Sequence, residues 1–66
     1  MKTVKVILYH NPDKSFTISL QDVEGNNFNA KIFSPLYPKQ NLYEDAYSYG
    51  YQLSGFLECD YTEIKP

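Results

Sequence analysis

The sequence predicts a small α+β domain in which a three-stranded antiparallel meander is followed by one amphipathic helix and a short C-terminal strand, in the order β-β-β-α-β. The first half of the chain alternates apolar and polar residues with a period of two, and two clusters of turn residues interrupt this alternation. The segment after residue 41 instead repeats its apolar residues at about 100° per residue, which is typical of a helix.

The meander begins at residues 3–10, TVKVILYH, where β-branched and aromatic residues favour a strand. Residues 11–14 predict a turn, because proline and Asp or Asn each favour chain reversal. Residues 15–22 alternate cleanly, and residues 25–27 supply the glycine and asparagines that close a second hairpin. In the third strand we expect Phe28, Ala30 and Ile32 on the buried side and Asn29 and Lys31 on the other.

The helix follows a loop at residues 34–38 that contains two prolines. Asn41 can cap this helix, and Glu44 three residues later has the spacing of a capping box. Close approach to the sheet would explain Gly50, whereas Gly55 marks an early helix end near Ser54. The apolar stripe that we expect to pack on the sheet is Leu42, Ala46, Tyr49, Leu53, Phe56 and Leu57. Residues 58–64 alternate again and predict the last strand.

The length of 66 residues predicts a single domain over residues 1–66, with a core that buries only about 60% of the unfolded surface. Cys59 is the sole cysteine, so no internal disulfide can form, and one cysteine with one histidine cannot build a structural zinc site. We therefore expect no metal or cofactor. Small domains without such staples are commonly stabilised by a partner subunit.

Composition and targeting signals indicate a globular protein of the cytoplasm. Hydrophobic residues make up 42% of the chain and charged residues 21%. No apolar run approaches the roughly 18 residues of a membrane span, and the first residues lack the cleavage site of a signal peptide. The free cysteine fits a reducing compartment.

The tyrosines of the helix are the first candidate binding surface. Tyr49 should point to the core, whereas Tyr43, Tyr47 and Tyr51 recur every four residues along the flank of the helix. These rings either cover the rim of an undersized core or form a partner-binding surface, for which tyrosine is well suited. The polar back of the helix beside them is formed by Glu44, Ser48 and Gln52.

Acidic residues accompany these tyrosines. Residues 34–66 contain five carboxylates and two lysines, which gives a net charge of −3. We expect Glu58 and Asp60 to share one face of the last strand beside the helix. Together with Glu44, they would attract a basic surface of a partner.

The open face of the meander is the alternative surface. The residues expected on it are Lys5, Ile7, Tyr9, Thr17, Ser19, Lys31 and Phe33. Lysines and aromatic rings on a sheet face can hold single-stranded nucleic acid, with Lys5, Tyr9, Lys31 and Phe33 as the contacts. The absence of arginine and a pI near 5.1 argue against this function. Apolar residues on this face instead predict that a second subunit covers it in a homodimer.

The sequence carries no pattern typical of an enzyme. His10 and Cys59 lie on different predicted strands, and no third group is placed to orient them. Neither a glycine-rich phosphate loop nor a metal-ligand spacing occurs.

In size, acidity and richness in residues with AT-rich codons, the chain resembles small accessory proteins of phages and mobile elements, including inhibitors of host defence such as anti-CRISPR proteins. This resemblance implies an inhibitory or regulatory role. We therefore predict a non-enzymatic protein–protein interaction module that occupies a surface of a larger host protein. A small nucleic-acid-binding domain that uses the open sheet face is the alternative.

Overall fold

A computed structural model describes residues 2–35 and 41–65 of the chain. Its elements are β1 (Thr3–His10), β2 (Phe16–Asp22), β3 (Asn27–Phe33), α1 (Leu42–Leu57) and β4 (Asp60–Ile64). The strands form one sheet in the order β3-β2-β1-β4. β2 is antiparallel to both of its neighbours, and β4 lies parallel to β1. The predicted α+β class and the β-β-β-α-β order are confirmed. Most of the predicted loop at residues 34–38 lies outside the described residues.

Both hairpins turn where the turn residues predict. In the first, Lys14 adopts a left-handed conformation (φ 71°), and the N–H of Asn11 donates to the carbonyl of Ser15 at 2.9 Å. In the second, Asp22 accepts through Oδ1 from the backbone N–H of Asn26 at 2.9 Å. Gly25 adopts φ 88° in this turn, a conformation that residues with a Cβ rarely enter.

The helix begins as predicted and ends later than predicted. The side chain of Asn41 accepts a hydrogen bond from the N–H of Glu44 at 3.3 Å and so caps the first turn. The predicted end near Ser54 is wrong, because α1 continues through Gly55 to Leu57. Glu58 then reverses the chain in a left-handed conformation (φ 55°, ψ 48°). This residue is therefore the helix cap, and β4 begins at Asp60 rather than at residue 58.

The core lies between one face of the sheet and α1. Val6, Leu8 and Ile18 are fully buried beneath Ala46 of the helix. The predicted stripe is confirmed at Ala46, which belongs to this cluster, and at Tyr49, Leu53 and Leu57, which pack against it. It is wrong at Phe56, which is 84% exposed. The buried face of α1 also includes Gly50 and Ser54, small residues that let the helix approach the sheet.

A β-bulge in β3 changes the faces of its last residues. Ile18 pairs with Lys31 and Ser19 pairs with Asn29, so Ala30 has no opposite residue. The predicted alternation is therefore wrong after this point. Lys31 and Phe33 lie on the helix side of the sheet, and Ile32 lies on the open side, where it is 59% exposed.

The open face carries its own polar cover. The side-chain amide of Asn27 donates to the hydroxyl of Tyr9 at 3.0 Å, so the phenol of Tyr9 reaches from β1 across β2 to β3. Ser19 donates to the side-chain oxygen of Asn29 at 3.0 Å. Ile7 on this face is only 3% exposed although α1 lies on the other side of the sheet. Ile32 and Ile64 also lie on the open face and are 59% and 43% exposed, so apolar area remains there although Phe33 lies on the helix side.

Candidate partner-binding site

The three tyrosines at the β4 side of α1, Tyr43, Tyr47 and Tyr51, are called the tyrosine flank. Four residues of an α-helix correspond to about 400° of rotation, so each ring is turned about 40° further from the sheet than the one before it. The exposed fraction of the side chains increases accordingly, from 37% and 40% to 64%. The flank is thus anchored to the fold at its first ring and free at its last.

Tyr43 is anchored by a carboxylate that sequence reasoning did not connect to it. Its hydroxyl donates to the two oxygens of Glu63 in β4 at 2.9 and 3.1 Å. Glu63 is also hydrogen-bonded to His10 Nε2. The Tyr43 ring lies 5.5 Å from the His10 ring and 5.6 Å from the Phe16 ring, measured between centroids. These contacts depend on the parallel pairing that sets Glu63 opposite Leu8, which the sequence alone does not reveal.

The electrostatics of this contact favour a charged Glu63 and a neutral Tyr43. Desolvation raises the pKa of the Glu63 carboxyl, but the hydrogen bonds from His10 and Tyr43 outweigh it and hold that pKa below its ordinary value. The hydrogen bond to Glu63 in turn raises the pKa of the Tyr43 phenol. The pair therefore acts as a fixed anchor at neutral pH.

Tyr47 is held by Tyr61 of β4. The two ring centroids are 5.3 Å apart, and the hydroxyl of Tyr61 donates to the backbone carbonyl of Tyr47 at 3.0 Å. This contact requires Gly50, because a Cβ at that position would lie 2.5 Å from the Tyr61 hydroxyl. The predicted close approach at Gly50 is thus confirmed. Burial of the Tyr61 phenol raises its pKa to about 12.

Two shallow depressions lie between successive rings of the flank. The first, of about 250 Å³, is lined by Tyr43, Glu44, Tyr47 and Ser48. The second, of about 230 Å³, is lined by Tyr47, Ser48, Tyr51 and Gln52. Within the described part of the chain, no other aromatic ring stacks on Tyr51. An incoming side chain can therefore contact an aromatic face, a hydroxyl and an acid within one helical turn.

Glu58 and Asp60 do not join this surface. The expectation that they share a face of the last strand is wrong, since Glu58 is the helix cap and only Asp60 belongs to β4. They line a separate depression with Cys59 and residues 2–4 at the start of β1. The structure thus divides the predicted partner-binding set, with Glu44 beside the tyrosines and the other two acids away from the depressions of the flank.

The alternative surface is divided as well. Lys5 and Tyr9 lie on the open face, whereas the bulge places Lys31 and Phe33 under the helix. The Lys31 ammonium lies 5.4 Å from the ring centroids of Phe33 and Tyr49. A basic and aromatic strip across the open face, as expected from the sequence, is therefore not formed.

His10 and Cys59 are not brought together, because His10 ends β1 and is hydrogen-bonded to Glu63, whereas Cys59 lies beside residues 2–4 at the start of β1. Burial, and then the nearby charge of Asp60, raise the pKa of the Cys59 thiol, which disfavours the nucleophilic thiolate. Among residues 2–35 and 41–65, no three His, Cys, Asp or Glu side chains are placed to hold a metal ion. The same residues contain no helix of the length and apolar character needed to cross a membrane.

No protein-family model matches the sequence, and no curated protein or solved structure matches it either. The geometry of the tyrosine flank is therefore the basis for a functional proposal.

Proposed function

We propose that this chain is a non-enzymatic binding module that docks on a larger protein through the tyrosine flank. The observation that carries the proposal is the graded exposure of three aligned tyrosines, two of which are held in place by β4. Rings that are already fixed lose little conformational entropy on binding, which is why rigid tyrosines make effective contact residues.

The negative charge of α1 and β4 supports a partner that has a basic surface. Residues 41–64 contain five carboxylates and neither lysine nor arginine. Glu44 borders the first depression of the flank, so a cation that enters this depression would meet both a ring face and a carboxylate. Such a partner would be steered toward the flank before contact.

An inhibitory or regulatory role, as in the accessory proteins of phages and mobile elements, is part of this proposal. In this role the module would act by occupying a surface that its target needs. The nucleic-acid alternative receives less support, because two of the four residues that it requires lie under the helix.

The test is an affinity capture from a lysate of the organism in which the protein acts, with a matched pair of single variants. Tyr51→Ser removes the most exposed ring of the flank, whereas Phe56→Ser removes a still more exposed ring at the other border of the same helix. A specific partner should be captured by the wild type and by Phe56→Ser. Its affinity for Tyr51→Ser should be about tenfold lower, the usual effect of losing one hot-spot ring.

Circular dichroism melts of both variants provide the control for folding. Equal affinity of the wild type and Tyr51→Ser for every captured protein would contradict the proposal. So would a loss of the partner by Phe56→Ser alone, which would place the interface at the opposite border of α1.

A further inference from the structure

We infer that the partner adds an extended, arginine-bearing segment to the outer edge of β4, beneath the tyrosine flank. This inference rests on the proposed function and specifies how the partner is held. Strand addition to an open sheet edge is an established mode of peptide recognition, in which the backbone supplies affinity and alternate side chains supply specificity.

The outer edge of β4 is free and regular. β4 is the last strand of the sheet, and its inner side pairs with β1 without interruption from Asp60 to Ile64. Every second residue of such a strand directs its N–H and C=O outward, and no described strand pairs with these groups. β4 has neither proline nor lysine nor a bulge, and its protection against unwanted pairing consists of its short length and the negative charges of Asp60 and Glu63.

The tyrosine flank contacts β4 on the helix side of the sheet. Tyr43 contacts Glu63 and Tyr47 contacts Tyr61, so the two β4 side chains that face the helix are those that hold the flank. A strand added beside β4 would direct alternate side chains toward these tyrosines and the others away from the helix. The backbone edge and the aromatic surface therefore form one continuous site.

Charge selects the occupant. β4 contributes the carboxylate of Glu63 on the helix side and that of Asp60 on the open face, and Glu44 lies on the rim of the first depression. A second copy of β4 would add two more carboxylates to this acidic edge, which disfavours pairing of the chain with itself. A segment with basic side chains is complementary, and arginine fits better than lysine because its planar guanidinium stacks on tyrosine rings.

The inference can be tested with a synthetic probe. The probe is a peptide of about seven residues that alternates arginine and valine, a pattern that favours an extended strand. Its two controls are an analogue with glutamate in place of arginine and an analogue whose amides along one edge are N-methylated. The peptide should slow hydrogen exchange at alternate amides of β4 in ¹⁵N-resolved spectra. Each control should bind about tenfold more weakly or worse, since it lacks either the charge or the backbone donors.

A pair of protein variants locates the binding edge. Thr62 and Ile32 lie in the two edge strands, and both face away from the helix. Thr62→Lys introduces a lysine, a common protective residue of edge strands, into β4 and should weaken binding of the peptide about tenfold. Ile32→Lys adds the same charge to β3 at an exposed position and should leave binding unchanged.

The outcomes separate this inference from the proposed function. If Tyr51→Ser weakens binding and Thr62→Lys does not, the flank binds its partner without strand addition and the inference is wrong. Equal binding of the N-methylated peptide, or unchanged β4 amides at millimolar peptide, would also overturn it. If neither variant affects capture of a natural partner, the proposed function fails as well.

Discussion

The two edges of the sheet differ in regularity and in what lies above them. β3 has seven residues and is interrupted by the bulge at Ala30. β4 has five residues and pairs with β1 without a break. α1 contacts β4 through Tyr43 and Tyr47 and the end of β3 through Tyr49, which packs on Phe33. Phe28, near the start of β3 on the helix side, is left 48% exposed.

The two edges therefore differ in their hydrogen-bond ladders, since that of β3 is broken by a bulge and that of β4 is continuous. A bulge bends its strand and breaks the ladder of hydrogen bonds, which is a common protection of edge strands against unwanted pairing. β4 lacks this protection, and hydrogen bonds to α1 hold it in place. Phe28 and Ile32 are exposed apolar residues of β3, but the bulge breaks the ladder between them. Their exposure alone is therefore not evidence that β3 pairs with another strand.

The largest expected effect comes from Gly50→Ala, which should loosen the β4 edge. The added Cβ would lie within 2.6 Å of three atoms of the Tyr61 side chain, so the ring must leave its place under α1. We expect the free energy of unfolding to fall by about 1 to 3 kcal/mol despite the better helix propensity of alanine. Urea unfolding measures this change, and hydrogen exchange should show faster opening of β4 than of β3.

Gly55→Ala is the matched control for this experiment, because a Cβ at position 55 meets no atom within 4 Å. It should raise the free energy of unfolding by up to about 1 kcal/mol. If both substitutions were stabilising, the contact between Gly50 and Tyr61 would not hold β4 in place.

A smaller effect is expected from pH, again at the β4 edge. Because the pKa of Glu63 is lower in the folded chain than its ordinary value of 4.5, its charge contributes stability above that value. This contribution should be lost as the pH falls through the lowered pKa of the folded state. Urea midpoints of the wild type and Glu63→Gln, measured between about pH 7 and pH 2, should therefore converge at the acid end. A constant difference over the whole range would show that Glu63 acts through packing rather than charge.

The smallest effect is expected at the β3 edge. Ile32→Thr replaces an exposed β-branched side chain with another that suits a strand, and the position lies beyond the bulge on the open face. The free energy of unfolding should change by less than about 0.5 kcal/mol, and the affinity for a partner should not change. A clear loss of affinity would assign the interface to β3 and reverse the comparison of the two edges.

The order of elements was predictable because periodicity and turn chemistry act locally. The Asn41 cap, the turn at Gly25 and the close approach at Gly50 each follow from residue type and position. The bulge at Ala30 was not predictable, since the alternation of β3 reads equally well without it. Phe56 was wrongly predicted to be buried because the helical pattern was read from apolar residues alone. In the structure the small residues Gly50 and Ser54 face the sheet instead.

The tyrosine flank was predictable as a set of residues but not as a structure. Spacing alone aligned Tyr43, Tyr47 and Tyr51 along the helix. The anchors at Glu63 and Tyr61 depend on the parallel register of β4 against β1, which joins residues more than fifty positions apart. Nothing local in the sequence encodes this register. The register decides which rings of the flank are anchored, because it places Glu63 and Tyr61 where they contact Tyr43 and Tyr47.

The parallel pairing of β4 also determines at which stage of synthesis the tyrosine flank becomes ordered. β1 lies inside the sheet between β2 and β4. Of the four strands, β1 is synthesised first and β4 last. The contacts within the meander are local, whereas the pairing of β4 with β1 joins residues more than fifty positions apart. Tyr43 and Tyr47 gain their anchors only after β4 has emerged and closed the sheet. We therefore expect Tyr43 and Tyr47 to become fixed in the same step in which β4 closes the sheet.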